Sequence, residues 1–172
     1  AVRFTPKSFR QRRPKTPGKR PTRDDDWVWN LQGVRRVLYR LPELLASAFE
    51  EFVFVVEGEK DADAIVALGL IATTNSMGAG KWRDEYAESL RARRVVILPD
   101  NDEPGKDHAH DVAVSLAGVA KSTKVLDLPD LPPKGDVSDW LAAGHTAEEL
   151  LALATKDDRE TTIEDVATIA DL

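Results

Sequence analysis

The chain has 172 residues, 42% of them hydrophobic, and a formal net charge of −6, which suits one packed domain with a small extension. It has no cysteine, which excludes a disulfide framework and any thiolate metal site. No apolar run approaches the ~20 residues of a membrane span, and no apolar segment follows the basic N-terminus as in a secretory signal, so a cytoplasmic location is the expectation. The charge is uneven. Residues 1–23 carry nine Lys/Arg and no Asp/Glu, leaving 15 basic against 30 acidic residues in the remainder. A basic arm on an acidic domain is a common nucleic-acid design, and a solvated linker is its bland counterpart. The start at Ala1, without Met and running at once into a strand-like Val-Arg-Phe, reads as a piece of something longer.

In chain order, residues 1–26 are rich in Arg, Lys and Pro. They are expected to be extended or disordered, apart from a short strand near Arg3-Phe4 or Phe9-Arg10-Gln11. A lead-in over 27–51 comes next. In it, Trp27-Val28-Trp29 and Val34 to Tyr39 read as short strands around a turn at Gln32-Gly33, and Pro42 suits the first turn of a helix. From Phe52 the pattern becomes continuous apolar strands alternating with amphipathic helices. That is the signature of an α/β fold with a mostly parallel, Rossmann-like central sheet flanked by helices. Strands are predicted at 52–56, 70–73, 94–98 and 124–128. Helices are predicted at about 61–68, with Gly69 closing it, then 84–91, 104–116, 137–142 and 147–154. Thr146, with Glu148 and Glu149 behind it, caps the last helix. The domain spans 52–154, and 155–172 is an acidic linker or tail. The small basic, β-containing segment precedes it.

Three acidic clusters carry the chemistry. Glu57-Gly58-Glu59-Lys60-Asp61 follows the strand Phe52-Val53-Phe54-Val55-Val56. Asp100-Asn101-Asp102 follows Val95-Val96-Ile97-Leu98-Pro99, and Asp136-Val137-Ser138-Asp139 precedes a helix. Ligands bind at the edge where parallel strands end, so these carboxylates are expected to converge there. Clustered carboxylates repel unless a cation lies between them, and an all-oxygen site suits Mg²⁺ or Mn²⁺. Each cluster also has a plain structural reading. Asp61 suits a helix start. Asp100-Asn101-Asp102 before Glu103-Pro104-Gly105 suits a turn into a helix, although in an extended segment Asp100 and Asp102 point to one side. A helix cap explains Asp136 or Asp139, and Asp139 suits pairing with a nearby Lys. Glu57 resists such a reading, because a carboxylate ending an apolar strand is costly unless hydrated, paired or bound to metal.

Met77-Gly78-Ala79-Gly80-Lys81-Trp82 reads as a loop. It is not a phosphate loop of the ATPase type, since Asn75 and Trp82 stand where that pattern needs Gly and Ser/Thr. Lys81 and backbone N–H groups suit phosphate contact, and a tight turn capped by a packed Trp82 is the alternative. His108 and His110 lie two apart on a predicted helix, face different sides and make poor metal partners for each other.

Together these residues resemble a TOPRIM domain, the catalytic fold shared by bacterial-type primases, topoisomerases and some nucleases. Its hallmark, a Glu-Gly after the first strand and an Asp-x-Asp after a later one, is matched by Glu57-Gly58 and Asp100-Asn101-Asp102. The likeness is strongest to phage- and plasmid-type primases, including those fused to a helicase. It extends to Gly105 and Ala109, to Lys134-Gly135-Asp136-Val137-Ser138-Asp139, to the upstream segment from Val34 to Leu44 and to Phe9 through Pro14, covering residues 1–154.

The resemblance implies a cytoplasmic DNA-replication enzyme that makes RNA primers on a single-stranded DNA template from nucleoside triphosphates. It implies catalytic roles for Glu57, Asp61, Asp100 and Asp102. Mg²⁺ or Mn²⁺ would be held by Glu57, Asp100, Asp102 and Asp136, and Lys60, Lys81 and Lys134 would bind the nucleotide. A zinc-binding module and a helicase are the expected partners in a parent protein, since this chain has neither Cys nor an ATPase loop. A TOPRIM nuclease and a non-catalytic TOPRIM scaffold are the alternatives.

Overall fold

The computed structural model describes residues 2–4 and 8–156, and divides the chain into two compact units, one up to Arg36 and one from Val37. Of the tail expected over 155–172, the stretch 157–172 lies outside the described residues.

The first unit is built of two small antiparallel pairs. β1 (Val2–Phe4) pairs with β2 (Ser8–Arg10), in the region where one short strand was expected. β3 (Arg13–Pro14) pairs with β4 (Trp27–Val28). A 3-10 turn over Asp24–Asp26 leads into β4. The Asp26 carboxylate accepts from the Thr22 and Arg23 backbone N–H groups (both 3.0 Å) and from the Thr22 hydroxyl. Those donors, the backbone ones foremost, hold its carboxyl below the ordinary range. Val34 to Tyr39, expected as a strand, has no ladder partner and runs as irregular backbone. Of its apolar residues, Leu38 alone is fully buried.

In the second unit, α1 (Leu41–Ala46) begins with Pro42 in its first turn. Next in order are β5 (Phe52–Val55), α2 (Glu59–Ala67), β6 (Ile71–Thr73), a 3-10 helix over Asp84–Leu90 and β7 (Arg94–Ile97). Then come α3 (Glu103–Leu116), β8 (Ser122–Val125), α4 (Val137–Ala142) and α5 (Ala147–Thr155). The four strands β5 to β8 form one sheet in the order β6-β5-β7-β8, all parallel. The chain therefore has an α/β architecture.

Period-two alternation sorts the core into two layers. Val53, Val55, Val95 and Ile97 face Leu38, Leu44, Tyr86, Leu90, Val112 and Leu116. Phe54, Val56, Val96 and Leu98 face Ala62, Ile65, Trp140 and Leu150. Each fully buried Val, Leu, Ile or Phe contributes about 1.5–3 kcal/mol relative to exposure. These strands are apolar on both faces because helices cover both. At the sheet's opposite end the buried Arg93 donates to the carbonyls of Leu44, Ser47 and Ala48, which fastens α1.

β8 begins two residues earlier than the apolar pattern suggests. The ladder uses Ser122 and Thr123, opposite Arg94 and Val95, while the apolar Leu126 and Leu128 lie beyond the strand. The segment expected as a helix over 84–91 is a 3-10 helix over Asp84–Leu90.

β5 connects through α2 outward to β6, while β7 connects through α3 outward to β8, so the strand order reverses between β5 and β7. α2 lies on one face and α3 on the other. Such a switch point opens a crevice at the carboxyl ends of the two central strands, where ligands bind in open α/β sheets.

Candidate metal centre at the carboxyl edge of the sheet

Glu57 leaves β5 at that crevice, and Asp100 leaves β7 on its other side. α3 brings the two together through Gly105. A Cβ at Gly105 would lie 2.6 Å from Glu57 Oε1 and 2.5 Å from the Asp100 carbonyl oxygen, so only glycine admits this approach. Glu57 accepts from the Asp100 backbone N–H, yet its Oε1 is a buried oxygen with no hydrogen-bond donor. Burial first, then the charges of Asp102 and Asp61, push the Glu57 carboxyl up, against that one backbone donor.

Asp100 is the most perturbed acid at the edge. Its carboxyl is pushed up to about 7, by burial first and then by Glu57, Asp61, Asp136 and Asp102. Four carboxyl groups from three segments of the chain thus act on a fifth.

Asp61 lies in the first turn of α2, whose cap is Gly58, so the helix begins two residues before the expected start. Asp61 is buried and accepts from the Ser138 hydroxyl. Burial, with Asp136 adding to it, raises its carboxyl, and the Ser138 hydroxyl and Lys60 oppose this. A Cβ at Gly58 would come 2.8 Å from Asp61 Oδ2, so a side chain there would require the Asp61 carboxylate to shift.

Asp102 and Asp136 have structural duties. Asp102 caps α3, accepting from the Gly105 N–H (2.9 Å). The Asp102 N–H also donates to the Asp100 carbonyl (2.8 Å), so residues 100–102 bend and are not the extended segment that alternate spacing would need. Asp136 and Asp139 form a reciprocal capping box on α4. Asp139 serves that cap, and it is Asp136 that takes the lysine: Lys60 Nζ lies 3.0 Å from Asp136 Oδ2. Lys60 is therefore held at the edge. Lys81 and Lys134 are exposed, Lys134 with a left-handed backbone (φ 63°).

Two residues without an assigned role organise the edge. Asn101 ties the loop before α4 to the loop after β7. Its N–H donates to the Gly135 carbonyl (2.9 Å), its carbonyl accepts from Lys134 N–H (2.8 Å), and its amide donates to the carbonyls of Leu131 (2.8 Å) and Pro132 (3.1 Å). His108 is buried one turn beyond Gly105 on the same face of α3. Its Nδ1 accepts from the Gly80 N–H (3.2 Å), which leaves Nε2–H to donate to Asn75 Oδ1 (3.1 Å). Asn75 in turn donates to the Gly78 carbonyl (2.8 Å). Burial lowers the His108 pKa, which keeps the ring neutral in this pairing. The loop that carries Lys81 is thereby pinned to α3. Trp82 packs edge-on against Tyr86 (5.5 Å between centroids), as the packed-turn reading expects. His110 is exposed, on another side of the helix.

The residues present fit a divalent cation on two counts. Glu57 Oε1 is an acceptor in need of a partner, and Asp100 gains a proton readily because it is buried among four other carboxyl groups. The donors are hard oxygens, which suit Mg²⁺ or Mn²⁺. Among the described residues, no three His, Asp or Glu side chains are already gathered as a ligand set, in keeping with Asp102 and Asp136 being turned to their helix caps. Among the same residues no helix is long and apolar enough to cross a membrane. No family model matches the chain, and no curated protein or solved structure matches it significantly.

Proposed function

We propose that this chain is a TOPRIM-type catalytic core that performs metal-dependent nucleotidyl transfer, and specifically the primer-synthesising core of a phage- or plasmid-type DNA primase. The observation that carries the reading is the meeting of Glu57 and Asp100 across the switch point, held by Gly105, with one Glu57 oxygen buried and without a donor. The Glu-Gly and Asp-x-Asp signatures fall at the ends of the two central strands, β5 and β7.

In the proposed reaction the primer 3′-oxygen attacks the α-phosphorus of a nucleoside triphosphate. A new P–O bond forms, the bond to the β-phosphate oxygen breaks, and pyrophosphate leaves with its electron pair. When bound, Mg²⁺ or Mn²⁺ would supply positive charge that offsets the negative charge of the reacting phosphates. Glu57, Asp100, Asp102 and Asp136 are the residues to hold it. Glu57, with its carboxyl raised by burial, is the residue assigned to accept the 3′-hydroxyl proton. Lys60, Lys81 and Lys134 are assigned to nucleotide phosphates. A single-stranded DNA template completes the substrate set, and a zinc-binding module and helicase are the assigned partners in a parent protein.

Incubating the chain with single-stranded DNA, labelled nucleoside triphosphates and Mn²⁺ tests the reading. Short labelled RNA products that disappear in Asp100→Asn are expected. Cleavage of the DNA with no incorporation of label would assign the same acids to a nuclease.

A further inference from the structure

We propose that Trp27, Trp29 and Arg12 form a base-stacking platform for single-stranded nucleic acid on the first unit, a proposal that deepens the templated reading above by naming where the strand is held. Up to Arg36 this unit has 11 Lys/Arg against three Asp/Glu, a net charge of +8, whereas the rest of the chain carries −14. The three acids are consecutive, Asp24 to Asp26. Asp26 is engaged by Thr22 and Arg23, and Asp24 lies 3.8 Å from the Arg12 guanidinium.

The register of β3 against β4 places the aromatic rings. Arg13 faces Val28 and Pro14 faces Trp27, so continuing the antiparallel pairing sets Arg12 opposite Trp29. Alternation puts Trp27 and Trp29 on one side, with Val28 on the other. The side chains agree: the Arg12 guanidinium carbon lies 4.1 Å from the Trp27 ring centroid and 5.3 Å from that of Trp29. Trp29 remains 40% exposed. Lys15, Lys19, Arg20 and Arg23 are exposed in the segment joining the two strands.

Lysines and arginines alone would attract any polyanion. Indoles held on one face beside a guanidinium add a surface for flat, unpaired bases, and that pairing of rings with cations is how single strands are bound without reading their sequence. A duplex hides its base faces and would gain only the electrostatic part. The charge and the rings together therefore favour single-stranded DNA or RNA over an acidic protein surface.

The test needs neither metal nor nucleotide, so its outcome is independent of whether the acidic edge is catalytic. The full chain is titrated into labelled oligo-dT and into a strand of equal length made of abasic sites, which has the same charge and no bases. Wild type is expected to bind oligo-dT roughly tenfold more tightly, and oligo-dT alone should quench its tryptophan fluorescence. Trp29→Ala should lose most of that preference while keeping the salt dependence, and Trp29→Phe should retain it, which separates a lost ring from a lost fold. Equal affinity of wild type for the two strands, or an undiminished preference in folded Trp29→Ala, would overturn the platform. So would binding replaced by concentration-dependent self-association.

Discussion

Gly105 and Glu57 are in such close register that one methyl group cannot be placed between them: a Cβ on Gly105 would stand 2.6 Å from Glu57 Oε1. The N-terminal turn of α3 thus does more than begin a helix. It sets its own backbone against the Glu57 carboxyl and the Asp100 backbone together.

Gly105→Ala should therefore disturb both fold and site. The methyl also meets the Asp100 backbone at 2.5 Å, where no flexible side chain can yield. Overpacking of this kind costs about 1–3 kcal/mol, readable by urea denaturation. Mn²⁺ affinity should fall in the same variant at temperatures where it remains folded. Wild-type stability together with wild-type metal binding would mean that Glu57 and Asp100 need not lie so close.

Asp100 gives the protein an inverted pH response. With its carboxyl pushed up to about 7 from 3.8, the folded chain keeps a proton that the unfolded chain has lost. Below 3.8 both states are protonated and the penalty is absent. As pH rises from there to about 7 stability falls, and above that the loss is complete. Thermal melts of metal-free protein at about pH 5 and about pH 8 should show wild type losing more Tm than Asp100→Asn. Added Mn²⁺ should restore the difference at the higher pH and do little at the lower. Identical pH profiles for the two proteins would contradict the assignment.

His108→Ala should release the loop that carries Lys81. It removes the acceptor of the Gly80 N–H and the donor to Asn75 Oδ1, and leaving buried polar groups unpaired costs about 1–3 kcal/mol. Hydrogen exchange at Gly80 should quicken while the β5 and β7 amides stay protected. Because burial lowers the His108 pKa, the wild-type contribution is present above the ordinary histidine range and is lost as pH falls through it. Unchanged exchange at Gly80 would show that the loop is held by other contacts.

The parts of this edge that depend on local pattern were legible in the sequence. Val53 through Val56 and Val95 through Leu98 are apolar at every position, as strands buried on both faces must be, and the acids that end them could be placed at one edge. Helix caps at Thr146 and the turn at Gly69 were equally local. What could not be read were features decided by partners far along the chain. The Asn101 amide reaches carbonyls 30 and 31 residues away, and His108 meets Asn75 33 residues away. Nothing in the spacing of His108 and His110 distinguishes a buried clamp from a solvated ring. The orientation of Asp102 differs from the expected one because alternation assumes an extended chain, whereas the N-terminus of α3 offers its carboxylate a free N–H at once. The late prediction of β8 has a similar cause: Ser122 and Thr123 pair at a half-buried edge strand, where apolar pattern is a poor guide.

The central claim is that the carboxylates at the switch point hold a divalent cation for nucleotidyl transfer, and Mn²⁺ binding measured by electron paramagnetic resonance tests it most directly. Wild type, Glu57→Gln and Asp100→Asn/Asp102→Asn are titrated at a pH above about 7, where Asp100 is ionised. Wild type is expected to bind, Glu57→Gln to bind at least about tenfold more weakly, and the double variant to lose the site with the fold retained. Equal Mn²⁺ affinity in all three folded proteins would contradict the claim.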